Sequence, residues 1–208
     1  MVNPIDFFIN MDEYLNIIIQ NYGAFTYVIL FLVIFAETGL VVTPFLPGDS
    51  LIFIAGTLAK SGGLNTFLLF FILASAAILG DSFNYAIGKY FGKKIGKNEK
   101  LVKKKYLRKT EEFYKKHGGK TIIFARFIPI IRTFAPFVAG IGKMDYVRFL
   151  GFNVFGGMIW VGLFVFGGYY FGQLELVQEN LSWFILFIIL LSFLPVIFEF
   201  FKKKIRKS

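Results

Sequence analysis

Cysteine is absent from this chain of 208 residues, and histidine occurs once, as His117. These two scarcities exclude thiol catalysis, disulfide bridges and any His/Cys metal cluster of recognisable spacing, so neither a metal nor a cofactor is expected. Basic residues are missing before Lys60, although Asp6, Asp12, Glu13, Glu37 and Asp49 all fall in that stretch. The basic n-region of a cleavable signal peptide is therefore lacking, and the N-terminus is expected to be retained. The phosphate-binding pattern Gly-x-x-x-x-Gly-Lys-Ser/Thr is absent, and Gly48-Asp49-Ser50 has neither a nucleophile-elbow context nor a histidine near it in sequence. The chain is accordingly read as a non-enzyme, with ATP-driven transport by this chain alone disfavoured.

What is present is apolar surface. Hydrophobic residues make up 56% of the chain and aromatic residues 20%, with 29 phenylalanines and a mean hydropathy of +0.65. A water-soluble globule of this size could not keep so many rings off its surface, which makes lipid the expected solvent. The net charge of +10 is local: 13 of the 23 Lys and Arg lie between Lys89 and Lys120, and five more between Lys202 and Lys207. Charge gathered this way fits membrane topology, and no nucleic-acid partner is expected.

Three runs are long enough to cross about 30 Å of hydrocarbon as helices, at residues 66–88, 149–172 and 181–201. Two others are broken. Residues 22–59 are too long for one span and contain Pro44, Pro47 and Gly48, while 121–142 contain Pro129 and Pro136 together with Arg126 and Arg132. Prolines remove backbone donors and glycine permits a turn, so both stretches are read as re-entrant hairpins broken at these residues. Broken backbone at membrane depth is tolerated only where protein or a wet cavity covers it, and the hairpins are expected to face each other. Residues 1–21 form an N-terminal amphipathic segment, 89–120 a basic cytoplasmic segment with an amphipathic helix over 98–118, and 202–208 a basic tail.

A short repeat ties the hairpins together. Phe53-Ile54-Ala55-Gly56 matches Phe137-Val138-Ala139-Gly140, and the spans that follow end in Gly88-Lys89-Tyr90-Phe91-Gly92 and Gly168-Tyr169-Tyr170-Phe171-Gly172. With positive residues inside, the first hairpin opens outward and the second inward. The expected fold is an all-α membrane protein: an inverted repeat of re-entrant hairpin plus transmembrane helix, with an additional C-terminal transmembrane helix and a cytoplasmic amphipathic helix. Inverted repeats of this kind place a binding site near the midplane.

Five charged residues fall inside apolar segments: Glu37, Asp49, Asp81, Arg126 and Arg132. Each costs on the order of 2.5–3.5 kcal/mol at a helix centre on insertion scales, and so requires a partner, water or a proton. A carboxylate relieves its burial by protonation, whereas arginine stays charged. The guanidinium forks suit a phosphate or carboxylate ligand, which makes Arg126 and Arg132 the expected substrate-binding pair and Glu37, Asp49 and Asp81 the expected proton-coupling set. A competing reading pairs these charges across the hairpins purely to hold them together.

Glu37-Thr38, Pro44, Pro47-Gly48-Asp49, then Gly80-Asp81 with Tyr85, Gly88 and Gly92, then Phe124-Ala125-Arg126-Phe127-Ile128-Pro129, Arg132 and Ala139-Gly140, together resemble the DedA family, also called the SNARE-associated or VTT domain family. The resemblance covers about residues 31–172. It implies paired re-entrant hairpins, dependence on the proton motive force, and translocation of an anionic lipid carrier such as undecaprenyl phosphate across the bacterial plasma membrane. The family's essential acidic pair would fall on Glu37 and Asp49, and its basic pair on Arg126 and Arg132. The expected partners are membrane lipids, a polyprenyl phosphate and protons. A proton-coupled ion or small-solute exchanger, a phospholipid scramblase and a membrane-organising protein remain the alternatives, and the oligomeric state is open.

Overall fold

The computed structural model describes residues 11–40, 48–97, 119–174 and 177. Those residues form seven helices: α1 (Met11–Tyr22), α2 (Phe25–Gly39), α3 (Gly48–Lys60), α4 (Thr66–Lys97), α5 (Lys120–Ala125), α6 (Pro129–Ile141) and α7 (Tyr146–Phe171). Pro44 and Pro47, the amphipathic helix over 98–118, the span at 181–201 and the tail at 202–208 lie outside the described residues. Two helices, over Thr66–Lys94 and Tyr146–Phe171, are long and apolar enough to cross a membrane. Large apolar side chains stay exposed along both, including Phe67, Phe71, Leu79 and Phe83 on α4 and Phe155, Leu163 and Tyr170 on α7. Lipid can cover such a surface and water cannot.

The first broken stretch consists of α2, ending at Gly39, and α3, starting at Gly48. In the second, the break falls at residues 126–128. There the amides of Arg126, Phe127 and Ile128 donate to carbonyls three residues back, at 3.2, 3.3 and 3.0 Å. These bonds keep the donors of the break satisfied. Ile128 is extended, and Pro129 opens α6 at a position where its missing amide costs nothing.

Two sequence expectations need correction. Pro136 does not break the second stretch, because it lies inside α6. Its ring removes the bond to the Arg132 carbonyl, and one residue further on the Thr133 carbonyl accepts from the Asn84 side chain on α4, at 2.7 Å. The first span does not stop at Gly88 either. α4 runs on to Lys97, since lysines are good helix formers and Gly88 and Gly92 pack closely on α6.

The chain divides into two compact units. One holds α1, α3, the start of α2 and α4, and the part of α7 from Val161; the other holds the rest of α2, α4 from Ala74, α5, α6, and α7 as far as Trp160. Each contains the same helix crossing. In the first unit, a Cβ at Gly56 would strike the Val165 backbone, one at Gly168 the Phe53 carbonyl, and one at Gly172 the Thr57 side chain. In the second, a Cβ at Gly140 would strike the Tyr85 carbonyl, one at Gly88 the Phe137 carbonyl, and one at Gly92 the Ile141 backbone. The spacing is identical, and in both crossings the contacts advance along the two helices in the same direction. The short repeat seen in sequence is thus a repeated backbone contact, which small residues allow. Its partners are exchanged: α3 packs on α7 and α6 on α4, so each broken stretch meets the span from the other half of the chain.

Candidate functional site

The second unit gathers four of the five expected charges. Arg126, at the C-terminal end of α5, donates through Nη2 to Asp81 Oδ2 on α4 and to Asn153 Oδ1 on α7. Arg132, in the first turn of α6, donates through Nη2 to Glu37 Oε1 on α2 at 2.6 Å. All four charged side chains are at most 3% exposed. They are held where they are by element ends: the break at 126–128 places one arginine just before it and the other just after. A close approach of α2 to α4, where Gly39 and Gly80 meet, brings the C-terminal turn carrying Glu37 onto α4.

Polar side chains that drew no attention in the sequence complete the arrangement. Asn153 Nδ2 donates to the Ile78 carbonyl at 3.0 Å and lies 3.4 Å from Ser82 Oγ. Asn84 Nδ2 donates to the Thr38 carbonyl at 3.2 Å as well as to Thr133. The Thr38 carbonyl lies in the last turn of α2, which has no intrahelical donors to offer it. Asn84 therefore joins the end of the first broken stretch to the middle of the second. Trp160, 1% exposed, lies beside both arginines, with the Arg132 guanidinium 4.7 Å and the Arg126 guanidinium 5.9 Å from its ring centroid. The signal that could have found these residues is an amide side chain, or a lone tryptophan, inside an otherwise apolar span.

Donor capacity is left over. Arg126 Nε and Nη1, Asp81 Oδ1 and Asn84 Oδ1 are buried with no hydrogen-bond partner among the described residues. Buried polar groups normally find partners, and a guanidinium with two open donors can accept two oxygens of a ligand. Gly156 and Gly157 face Arg126 at 3.6 Å from where a Cβ would stand, leaving its flank without a covering side chain from α7 at those positions. Asp49 is placed differently. It is half-buried in the first turn of α3, in the other compact unit, where the positive end of the helix dipole favours a carboxylate.

The VTT domain family matches residues 46–170. The chain is 51% identical over 204 residues to Protein DedA of Escherichia coli, covering 96% of this chain and 93% of that protein. A membrane protein of Mycobacterium leprae is 41% identical over 167 residues, covering 79% of this chain and 75% of its own. The inner membrane protein YqjA of Escherichia coli is 32% identical over 154 residues, covering 71% and 68%. No solved structure matches the chain. A family match across more than half of the chain, with relatives aligned over most of their length and two of them named as membrane proteins, gives one conclusion: the chain is a membrane protein of the DedA family and carries its VTT domain.

Proposed function

We propose that the chain is a transporter that moves an anionic lipid, undecaprenyl phosphate or a similar polyprenyl phosphate, across the bacterial plasma membrane, coupled to protons. The observation that carries this reading is the pair of buried arginine–carboxylate contacts around Trp160, with donors left open on Arg126. Two arginines and two carboxylates make the site neutral as it stands. A phosphate entering it would add uncompensated negative charge, which a buried site resists strongly. Protonating Asp81 or Glu37 removes that obstacle, because the released guanidinium then faces the phosphate as its only counter-ion. Anion entry is in this way tied to proton uptake, and anion release to proton loss.

In this reading the two broken stretches are re-entrant hairpins, the basic segment and the C-terminus face the cytoplasm, and Asp49 supplies a second protonatable group at the start of α3. The chain performs no covalent chemistry and holds no cofactor. Five ionisable residues in apolar segments support transport over simple stapling, since two contacts would suffice to join the helices. The test is leaflet-resolved translocation of labelled polyprenyl phosphate in proteoliposomes, with and without a pH gradient. The intact protein should move the lipid faster with the gradient, while Arg126→Ala and Glu37→Gln should be slower by about tenfold or more, as expected when one charged hydrogen bond is lost. Equal rates in all three proteins would sink the reading. Proton-linked uptake of a soluble ion without any lipid requirement would replace it with an ion exchanger.

A further inference from the structure

A cavity of about 400 Å³ opens beside the basic end of α4, between that helix and the first residue of α7. Its α4 wall is one continuous face, running from Ser82 through Tyr85, Ala86, Lys89 and Tyr90 to Lys93, and Tyr146 closes the opposite side. None of these residues takes part in the arginine–carboxylate contacts. Tyr85 forms a rigid part of the wall: its hydroxyl donates to the Met144 carbonyl, and its ring stacks on Phe149 at 4.6 Å and lies 5.5 Å from Tyr146. The two lysines stand one helical turn apart, and among the described residues no acidic side chain lines the cavity. Asp145, the nearest acid in sequence to Tyr146, caps α7 by accepting from the Arg148 amide at 2.9 Å.

The chemistry of the lining is divided. Lys89 and Lys93 offer compact positive charge and several donors, whereas Ala86 and the rings of Tyr90 and Tyr146 offer an apolar slot. An occupant that satisfies both halves has an anionic head and a hydrocarbon body. Depth gives a second argument. With a rise of about 1.5 Å per residue, Lys89 lies roughly 35 Å along α4 from Thr66, just beyond a hydrocarbon core about 30 Å thick. That is the level at which lipid phosphates sit, and lysines there attract them.

We propose that this cavity is a phosphate-binding site for an amphiphile, the phosphate held between Lys89 and Lys93 and the apolar body lying along Ala86, Tyr90 and Tyr146. The site meets the buried arginine network only at Ser82, 3.4 Å from the Asn153 side chain, and does not depend on the transport reading. Lysine suits the role because a monoester or diester phosphate at the membrane surface needs a point charge more than a planar fork.

The experiment titrates the purified full chain in a neutral detergent with dioleoyl phosphatidate and reads bound lipid by native mass spectrometry. Dioleoylglycerol and inorganic phosphate serve as competitors. Phosphatidate should bind, and the double variant Lys89→Gln/Lys93→Gln should weaken it by about tenfold or more, the loss expected for charge-assisted contacts. Ala86→Phe, which fills the slot and leaves both lysines, should weaken it as well. Lys60→Gln, which removes an exposed lysine that does not line the cavity, should bind as the intact protein does. Dioleoylglycerol should not compete; competition by it would show that the phosphate is not recognised and would overturn the proposal. Displacement by millimolar inorganic phosphate would assign the site to soluble phosphate and overturn the amphiphile, whereas its failure to displace would support the lipid. Unchanged binding in both cavity variants would overturn the proposal, as would an equal loss in Lys60→Gln, which would show that overall charge and not the cavity holds the phosphate.

Discussion

Arg132 Nη2 lies 2.6 Å from Glu37 Oε1, with both side chains out of contact with solvent, and the two residues come from different broken stretches of the chain. Removing one partner leaves the other charged and buried, which costs about 3–5 kcal/mol, whereas replacing both with apolar residues of similar size is often tolerated. Arg132→Met and Glu37→Leu should each unfold at lower temperature than the intact protein, and the double variant should recover most of the loss. Thermal unfolding in detergent measures this. If the recovered double variant also moved lipid normally, the contact would serve only to join the helices.

Asn84 bridges the carbonyls of Thr38 and Thr133, on different helices. Asn84→Leu preserves volume but leaves both carbonyls without that donor, so a destabilisation of about 1–3 kcal/mol is expected. Denaturant titration of the detergent-solubilised protein, followed by intrinsic fluorescence, is the check. A variant as stable as the parent would show that Thr38 and Thr133 find other donors.

Trp160 should act through its face as well as its bulk. Trp160→Phe keeps a ring beside Arg132 and should retain most of the activity. Trp160→Leu removes a cation–π contact worth about 0.5–2 kcal/mol and opens the wall behind both guanidinium groups. Translocation rates for the two variants, compared at equal folded fraction, test the distinction; identical rates would assign the tryptophan to packing alone.

The repeated crossing predicts paired sensitivities. Gly56→Ala and Gly140→Ala each drive a Cβ into backbone of the facing helix, Val165 in one case and Tyr85 in the other. Both should be strongly destabilising, since backbone cannot move aside as a flexible side chain can. Gly151→Ala meets nothing within 4 Å and should leave stability unchanged or improve it by up to about 1 kcal/mol. Folded yield after detergent extraction gives the comparison.

The all-helical class was legible because apolar runs of span length leave few other options, and the break before Pro129 was legible because proline dictates its own neighbourhood. The charged residues were legible as misfits, but their pairing was not. Asp81 with Arg126 and Glu37 with Arg132 are joined by helix crossings over 45 and 95 residues of sequence, and nothing local selects one partner over another. Pro136 misled for a different reason: a proline marks a break by default, yet α6 runs through this one. The glycine repeat announced that two segments were alike without saying that each would pack on the other's span, because like sequences carry like surfaces and do not encode which copy they meet.

The exchanged crossings have a consequence for how the polypeptide is made. Thr57 meets its carbonyl partner Gly168 across 111 residues, so α3 is synthesised long before the helix that receives it. Neither half of the chain contains a finished copy of the repeated glycine crossing. Severing the chain between Lys97 and Gly119 and expressing the pieces separately should leave each to degradation. Expressed together, the fragments carry every surface needed to rebuild both crossings, which makes the molecule an obligate pair of halves joined by one stretch of peptide.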